Sequence, residues 1–212
     1  LIVSGSNLLA EQAGVHSGMA IADARAFIPS LKIINEQAGL AEKLLHSIAE
    51  WCIRYTPQVA LDTPDGIILD ISGCAHLWGG EAAYLTSIVS KFRQHGYDVR
   101  MGIADTIGAA WAVAHFGHED IIINEQAQSE TLLPLSPAAL RLEDVQLKRL
   151  QSLGLRSIGS FATMPRSVLR RRFGDSLLLR LDQAMGLEDE FVISIKPILP
   201  YEEHLPCLEP IC

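Results

Sequence analysis

Three carboxylates, Asp62, Asp65 and Asp70, fall within nine residues in the stretch LDTPDGIILDISGCAHLWGGE, Leu61–Glu81. Carboxylates so closely spaced are candidate ligands for a hard divalent cation. Two-metal nucleotidyl transfer needs several of them converging on ions roughly 3.5 to 4 Å apart, and one carboxylate cannot hold both ions. The same residues have a plainer reading. Pro64-Asp65-Gly66 is turn chemistry between two extended apolar runs, QVALD and GIILDIS, so Asp65 also reads as the bend of a β-hairpin and Asp70 as a residue that fixes its far end.

Other reactive residue types offer less. The four cysteines, Cys52, Cys74, Cys207 and Cys212, have no CxxC spacing, which argues against a zinc finger or disulfide framework and fits a reducing cytoplasm. Cys74 and His76 supply two metal donors without a second pair. No Gly-rich phosphate loop, nucleophile elbow or paired-histidine motif is present.

Charge is distributed unevenly. The 212 residues carry a net charge of -8, a sum that opposes phosphate binding. Yet Arg141 to Arg180 hold nine Lys and Arg against three Asp and Glu, a local +6 that leaves -14 elsewhere. Such asymmetry marks a candidate nucleic-acid surface; a solvated helical face is the alternative. No apolar run approaches the roughly 20 residues of a membrane span. The sequence begins without methionine and ends without a terminal motif, as expected of a piece of a longer protein.

The elements that would position these residues follow from periodicity and breakers. SNLLAEQAGV and SGMAIADARAFIP predict two short helices, the first with Ser6 or Asn7 as N-cap. LKIIN, at 31–35, predicts a short strand. Leu40, Leu44, Leu45, Ile48, Ala49 and Cys52 mark one buried helix face. After the hairpin, EAAYLTSIVSKFRQHGY predicts a helix, DVRMGIAD a strand, TIGAAWAVAHFG a helix capped by Thr106, and DIIIN a strand. From 125 to 186 only short helices are expected. The fold class is α+β, with an antiparallel or mixed sheet covered by helices and a separate helical module.

On these residues the chain resembles the Y-family DNA polymerases. DTPDGIILDISG is similar to the palm signature S-I-D-E-A-Y-L-D-V-T-G, AGVHSGMAIADARAFIPSLKII to the fingers segment, VRMGIAD to a later palm strand, and LKRLQSLGLRSIGSFATMPRSVLRRRFG to the thumb. The hairpin stretch is most similar to the ImuB branch, mutasome subunits regarded as relatives that have lost activity. The resemblance implies a ferredoxin-like palm at 37–124, a partial fingers segment at 1–36 and an all-helical thumb with a helix-hairpin-helix at 125–194. Residues 195–212 would be a linker toward a little-finger domain not contained in these residues.

On that alignment S-I-D-E becomes Thr63-Pro64-Asp65-Gly66, so Asp65 is a vestigial catalytic and metal position and the glutamate is lost. Leu8 and Glu11 replace the Tyr and Arg that hold the triphosphate, and Ile107 and Trp111 replace two lysines. The family's first thumb hairpin, G-I-G, is Arg141-Leu142-Glu143. The resemblance implies DNA binding through Arg141, Gly154, Arg156, Gly159, Arg166, Arg170, Arg171 and Arg172, and a scaffold in DNA repair by translesion synthesis that needs no cofactor. Implied partners are DNA, the sliding clamp, a RecA-like accessory protein and an error-prone C-family polymerase. The alternative is an active, error-prone polymerase using Mg²⁺.

Overall fold

A computed structural model describes residues 1–196. The chain divides into two compact units, one comprising Leu1–Ser47 and the other beginning at Ile48.

In the first unit, helix α1 (Leu8–Gln12) starts where the Asn7 side chain accepts a hydrogen bond from the Ala10 N–H, and helix α2 is Ile21–Phe27. Ala10, Val15 and Ala24 form the small core between them. The strand expected at 31–35 is absent: these residues have no regular secondary structure, and Ile34 is exposed. A strand needs a pairing edge, and no described residue supplies one. Helix α3, Leu40–Cys52, crosses into the second unit. Its apolar face is buried at Ala49 and Cys52 and exposed at Leu40 and Leu44, so the face read as continuous is only half used.

In the second unit, β1 (Gln58–Asp62) and β2 (Gly66–Asp70) form the expected antiparallel hairpin. Helix α4 (Glu81–Gln94) packs Tyr84 and Ile88 against Val59, Cys52 and Tyr55. Burial in this core pushes the Cys52 thiol up to about 11, which makes it a packing residue rather than a nucleophile. The runs DVRMGIAD and DIIIN shorten to two residues each, β3 (Gly102–Ile103) and β4 (Ile121–Ile122), paired in parallel and joined by helix α5 (Ile107–Phe116). The described residues thus carry two two-stranded pieces rather than one continuous sheet.

Short helices follow: α6 (Gln128–Leu132), α7 (Asp144–Ser152), α8 (Gly159–Ala162), α9 (Arg166–Phe173) and α10 (Asp175–Met185). They surround a core of Leu132, Leu140, Leu150, Phe161 and Leu177, into which α5 inserts Ala109 and Ala112. Gly108 permits this contact, because a Cβ there would lie 2.9 Å from the Ala184 Cα. After α10 the chain returns to the hairpin. Ser194 bridges Ala60, and the Ile195 N–H donates to the Val59 carbonyl at 2.7 Å, so the start of the expected linker lies along β1. Positions 197–212, with Cys207 and Cys212, fall outside the described residues. No described helix is long and apolar enough to cross a membrane.

Candidate functional site

The hairpin sends its three carboxylates in different directions. Asp65 lies in the exposed loop between Asp62 and Gly66, and no hydrogen bond or ion pair engages its carboxylate among the described residues. The Asp70 carboxylate accepts the Ser72 N–H at 2.9 Å, an Asx turn that ends β2. The Asp62 carboxylate accepts the indole N–H of Trp111, on α5, at 2.7 Å. Among the described residues no three His, Cys, Asp or Glu side chains gather closely enough to hold a metal ion. A pair of magnesium ions therefore does not fit this donor set: Asp62 is committed to Trp111, Asp70 to its own turn, and Asp65 stands alone.

Gly66 belongs to the same arrangement. A Cβ at position 66 would lie 2.8 Å from Asp62 Oδ2 and 3.0 Å from the Asp62 carbonyl oxygen. The space beside Gly66 is taken by the carboxylate that Trp111 holds. The Trp111 ring is itself stacked on His115, with centroids 3.9 Å apart and an angle of 19°, and the Arg141 guanidinium lies 5.6 Å from its centroid. Where the resemblance places a triphosphate lysine, this chain has an indole fixed by a carboxylate, an imidazole and a guanidinium. Ile107, at the other lysine position, is half-buried. In the first unit, Glu11 is exposed and accepts a hydrogen bond from the Ser6 hydroxyl at 3.2 Å.

The role of Asp62 is not legible in the sequence. Its partner is 49 residues away, and no local spacing announces the pair.

The basic segment separates into paired and unpaired cations. Arg141 takes φ +54, a left-handed backbone that glycine adopts without cost. It occupies the first glycine of the expected G-I-G hairpin, so the backbone bend persists with a side chain added. That side chain pairs with Glu190, which also binds Arg180 at 2.9 Å, and both partners of the Arg141 pair are largely buried. Arg141→Ala removes this pair while keeping the unfavourable φ. It should lower unfolding free energy by about 1–3 kcal/mol, and Arg141→Gly should recover roughly 1 kcal/mol of that loss, both read from urea unfolding.

Arg166 grips Asp182 with both guanidinium nitrogens, which raises its pKa further. Arg170 binds Asp175. By contrast Arg156, Arg171 and Arg172 are exposed and have no hydrogen-bond or ion-pair partner among the described residues.

Arg156 sits on the loop from α7 to α8. Gly154, at φ +75, turns that loop, and the backbone N–H groups of Arg156 and Ser157 are left without protein acceptors among the described residues. Free N–H groups beside an unpaired arginine are what a phosphate oxygen accepts from. Gly159 does something else. Its N–H donates to the Leu133 carbonyl at 2.8 Å, and a Cβ would meet that oxygen at 3.1 Å, so it is a packing residue.

The fold is that of the Y-family polymerases. The crystal structure of DinB from Sulfolobus solfataricus superposes with a TM-score of 0.72 at 19% identity, over 91% of this chain and 58% of that one. Residues 1–115 match the model of the impB/mucB/samB family, and the chain belongs to that family. It is 41% identical over 198 residues to Protein ImuB of Caulobacter vibrioides, covering 93% of this chain and 43% of the relative. To DNA polymerase IV of Shewanella oneidensis it is 25% identical over 193 residues, covering 89% and 54% respectively. The chain thus spans about half the length of the curated relatives it matches.

Proposed function

We propose that this chain is part of a DNA-binding protein of translesion synthesis whose nucleotide-joining site is silent, so that it acts as a scaffold. The observation that carries the reading is the Asp62–Trp111 hydrogen bond beside Gly66. The position of the signature's glutamate is closed by the Asp62 carboxylate that Trp111 holds, Asp65 is left as a lone carboxylate, and an indole stands where a triphosphate needs a cation. The likeness to Protein ImuB supports it. On this reading the partners are DNA, a sliding clamp, a RecA-like accessory protein and a C-family polymerase that performs the synthesis, and the protein works in the cytoplasm.

Contact with DNA falls to Arg156, Arg171 and Arg172 together with the Gly154 loop, whereas Arg141, Arg166 and Arg170 are paired with Glu190, Asp182 and Asp175. Three phosphate contacts at about -0.9 each give a log-log salt slope near -3 on duplex. A fluorescence-anisotropy titration of the chain on a non-specific duplex between 50 and 300 mM salt checks this. A slope near zero would remove DNA from the proposal.

The unpartnered carboxylate of Asp65 favours a second reading, an active polymerase whose further metal ligands lie outside this sequence. In that case Mg²⁺ would be required and Asp65→Ala would abolish activity.

A further inference from the structure

The segment that follows α10 runs as a strap from the helical module back to the hairpin. From Leu187 to Lys196 it has neither helix nor strand apart from the Ser194 bridge to Ala60. Phe191 and Ile193 are 89% and 94% exposed, so apolar burial does not hold its middle down. Its described ties are mostly polar. The Leu187 N–H donates to the Asp182 carbonyl at 2.8 Å, and the Ile195 N–H reaches Val59 beside the half-buried Ile195 side chain. Gln183 adds a long bond of 3.5 Å to the Asp189 carbonyl. Between these ends the Glu190 carboxylate is bound by two guanidiniums, Oε2 by Arg141 and Oε1 by Arg180.

Two arginines converging on one carboxylate, one to each oxygen, are an anion site with an anion already in it. Arg141 comes from the loop before α7, Arg180 from α10 and Glu190 from the strap. The Arg180 side chain is 35% exposed, against 16% for Arg141 and 11% for Glu190, so an outside anion can approach the cluster from its side. A phosphodiester presents what the carboxylate presents: a single negative charge on acceptor oxygens that a guanidinium fork matches. Exchanging one for the other keeps both arginines paired and leaves the charge of the cluster unchanged, so no buried cation is stranded.

The cluster also lies near the DNA-contact residues. Arg141 precedes α7 and Arg156 follows it. Nine helical residues span only about 14 Å, so a duplex that touches Arg156 is within reach of Arg141. We propose that Arg141 and Arg180 form a latent phosphate site that Glu190 keeps occupied until DNA displaces it, an autoinhibitory contact that holds DNA affinity down. This rests on the DNA-binding reading above.

The test is anisotropy of the full-length protein on a non-specific duplex. Glu190→Gln removes the competing charge at constant length. It should raise affinity at least tenfold at 0.1 M salt and steepen the log-log salt slope by about 1.8, two phosphates at about 0.9 each. Asp189→Asn removes the same charge from an exposed neighbour whose carboxylate has no ion-pair partner among the described residues. It should change affinity less than about threefold and keep the slope. Adding Arg141→Ala and Arg180→Ala to Glu190→Gln should return the slope to the parent value. Hydrogen exchange of the unaltered protein needs no variant: once duplex displaces Glu190, the bridge to β1 loses its neighbouring anchor, and the Ile195 amide should exchange faster. Glu190→Gln indistinguishable from Asp189→Asn, or an Ile195 amide that duplex slows or leaves unchanged, overturns the autoinhibitory contact. A parent slope near zero would instead overturn the DNA-binding reading, and this proposal with it.

Discussion

Replacing Arg156, Arg171 and Arg172 together by alanine should weaken duplex binding by about two to three orders of magnitude at 0.1 M salt. Each phosphate contact contributes about -0.9 to the salt slope, so three account for about 2.7 decades between 0.1 and 1 M salt. All three side chains are exposed and unpaired among the described residues, so their removal leaves no buried acid uncompensated and should not shift the thermal midpoint. Arg166→Ala and Arg170→Ala form the instructive contrast. Those guanidiniums are bound to Asp182 and Asp175, and each loss should alter DNA affinity less than any one of the three. Asp182 is buried, so Arg166→Ala should instead be visible as lost stability. Anisotropy with the triple variant decides the matter. Affinity and slope unchanged from the parent would return the basic run to a solvated face.

The second large effect concerns position 66. In an ordinary strand an added side chain is neutral or helpful, since glycine carries the greater conformational entropy of the unfolded chain. At Gly66 the sign reverses. The new Cβ meets the Asp62 carboxylate and carbonyl, and the carboxylate cannot swing aside without breaking its bond to Trp111. Gly66→Ala and Gly66→Glu should each cost about 1–3 kcal/mol in urea unfolding, the usual range for overpacking. Restoring the glutamate that the polymerase signature carries therefore should not restore a metal site, and it should loosen the hairpin. Asp62→Ala should reduce the cost of Gly66→Glu, a coupling that a double-mutant cycle measures. An unchanged or raised stability in Gly66→Ala would mean that Asp62 is not held as described.

Much of this molecule was legible in local sequence signals. The Pro-Asp-Gly bend fixed the hairpin, Asn7 and Thr106 capped their helices as expected, and Gly154 turned the chain after α7. The misses share a cause. LKIIN has strand composition but no partner edge, and the long runs around Gly102 and Ile121 pair over only two residues each. Strand length depends on a neighbour that composition does not reveal.

The same limit governs the site. That Gly66, Ile107 and Trp111 stand at the signature's glutamate and lysine positions is what the motif resemblance implies. Asp62 could not be assigned, because its partner Trp111 arrives by tertiary packing. Nor does the sequence distinguish bound from free arginines in a basic run. Arg170, Arg171 and Arg172 are adjacent letters, and only the path of α9 beside Asp175 separates the first from the others.

Primer extension asks whether the site still joins nucleotides. The full-length protein that contains this chain is incubated with a primed template, all four deoxynucleoside triphosphates and either Mg²⁺ or Mn²⁺. No nucleotide should be added with either ion while the protein retains the duplex. Extension that disappears in Asp65→Ala would show that the site still joins nucleotides and would contradict the account.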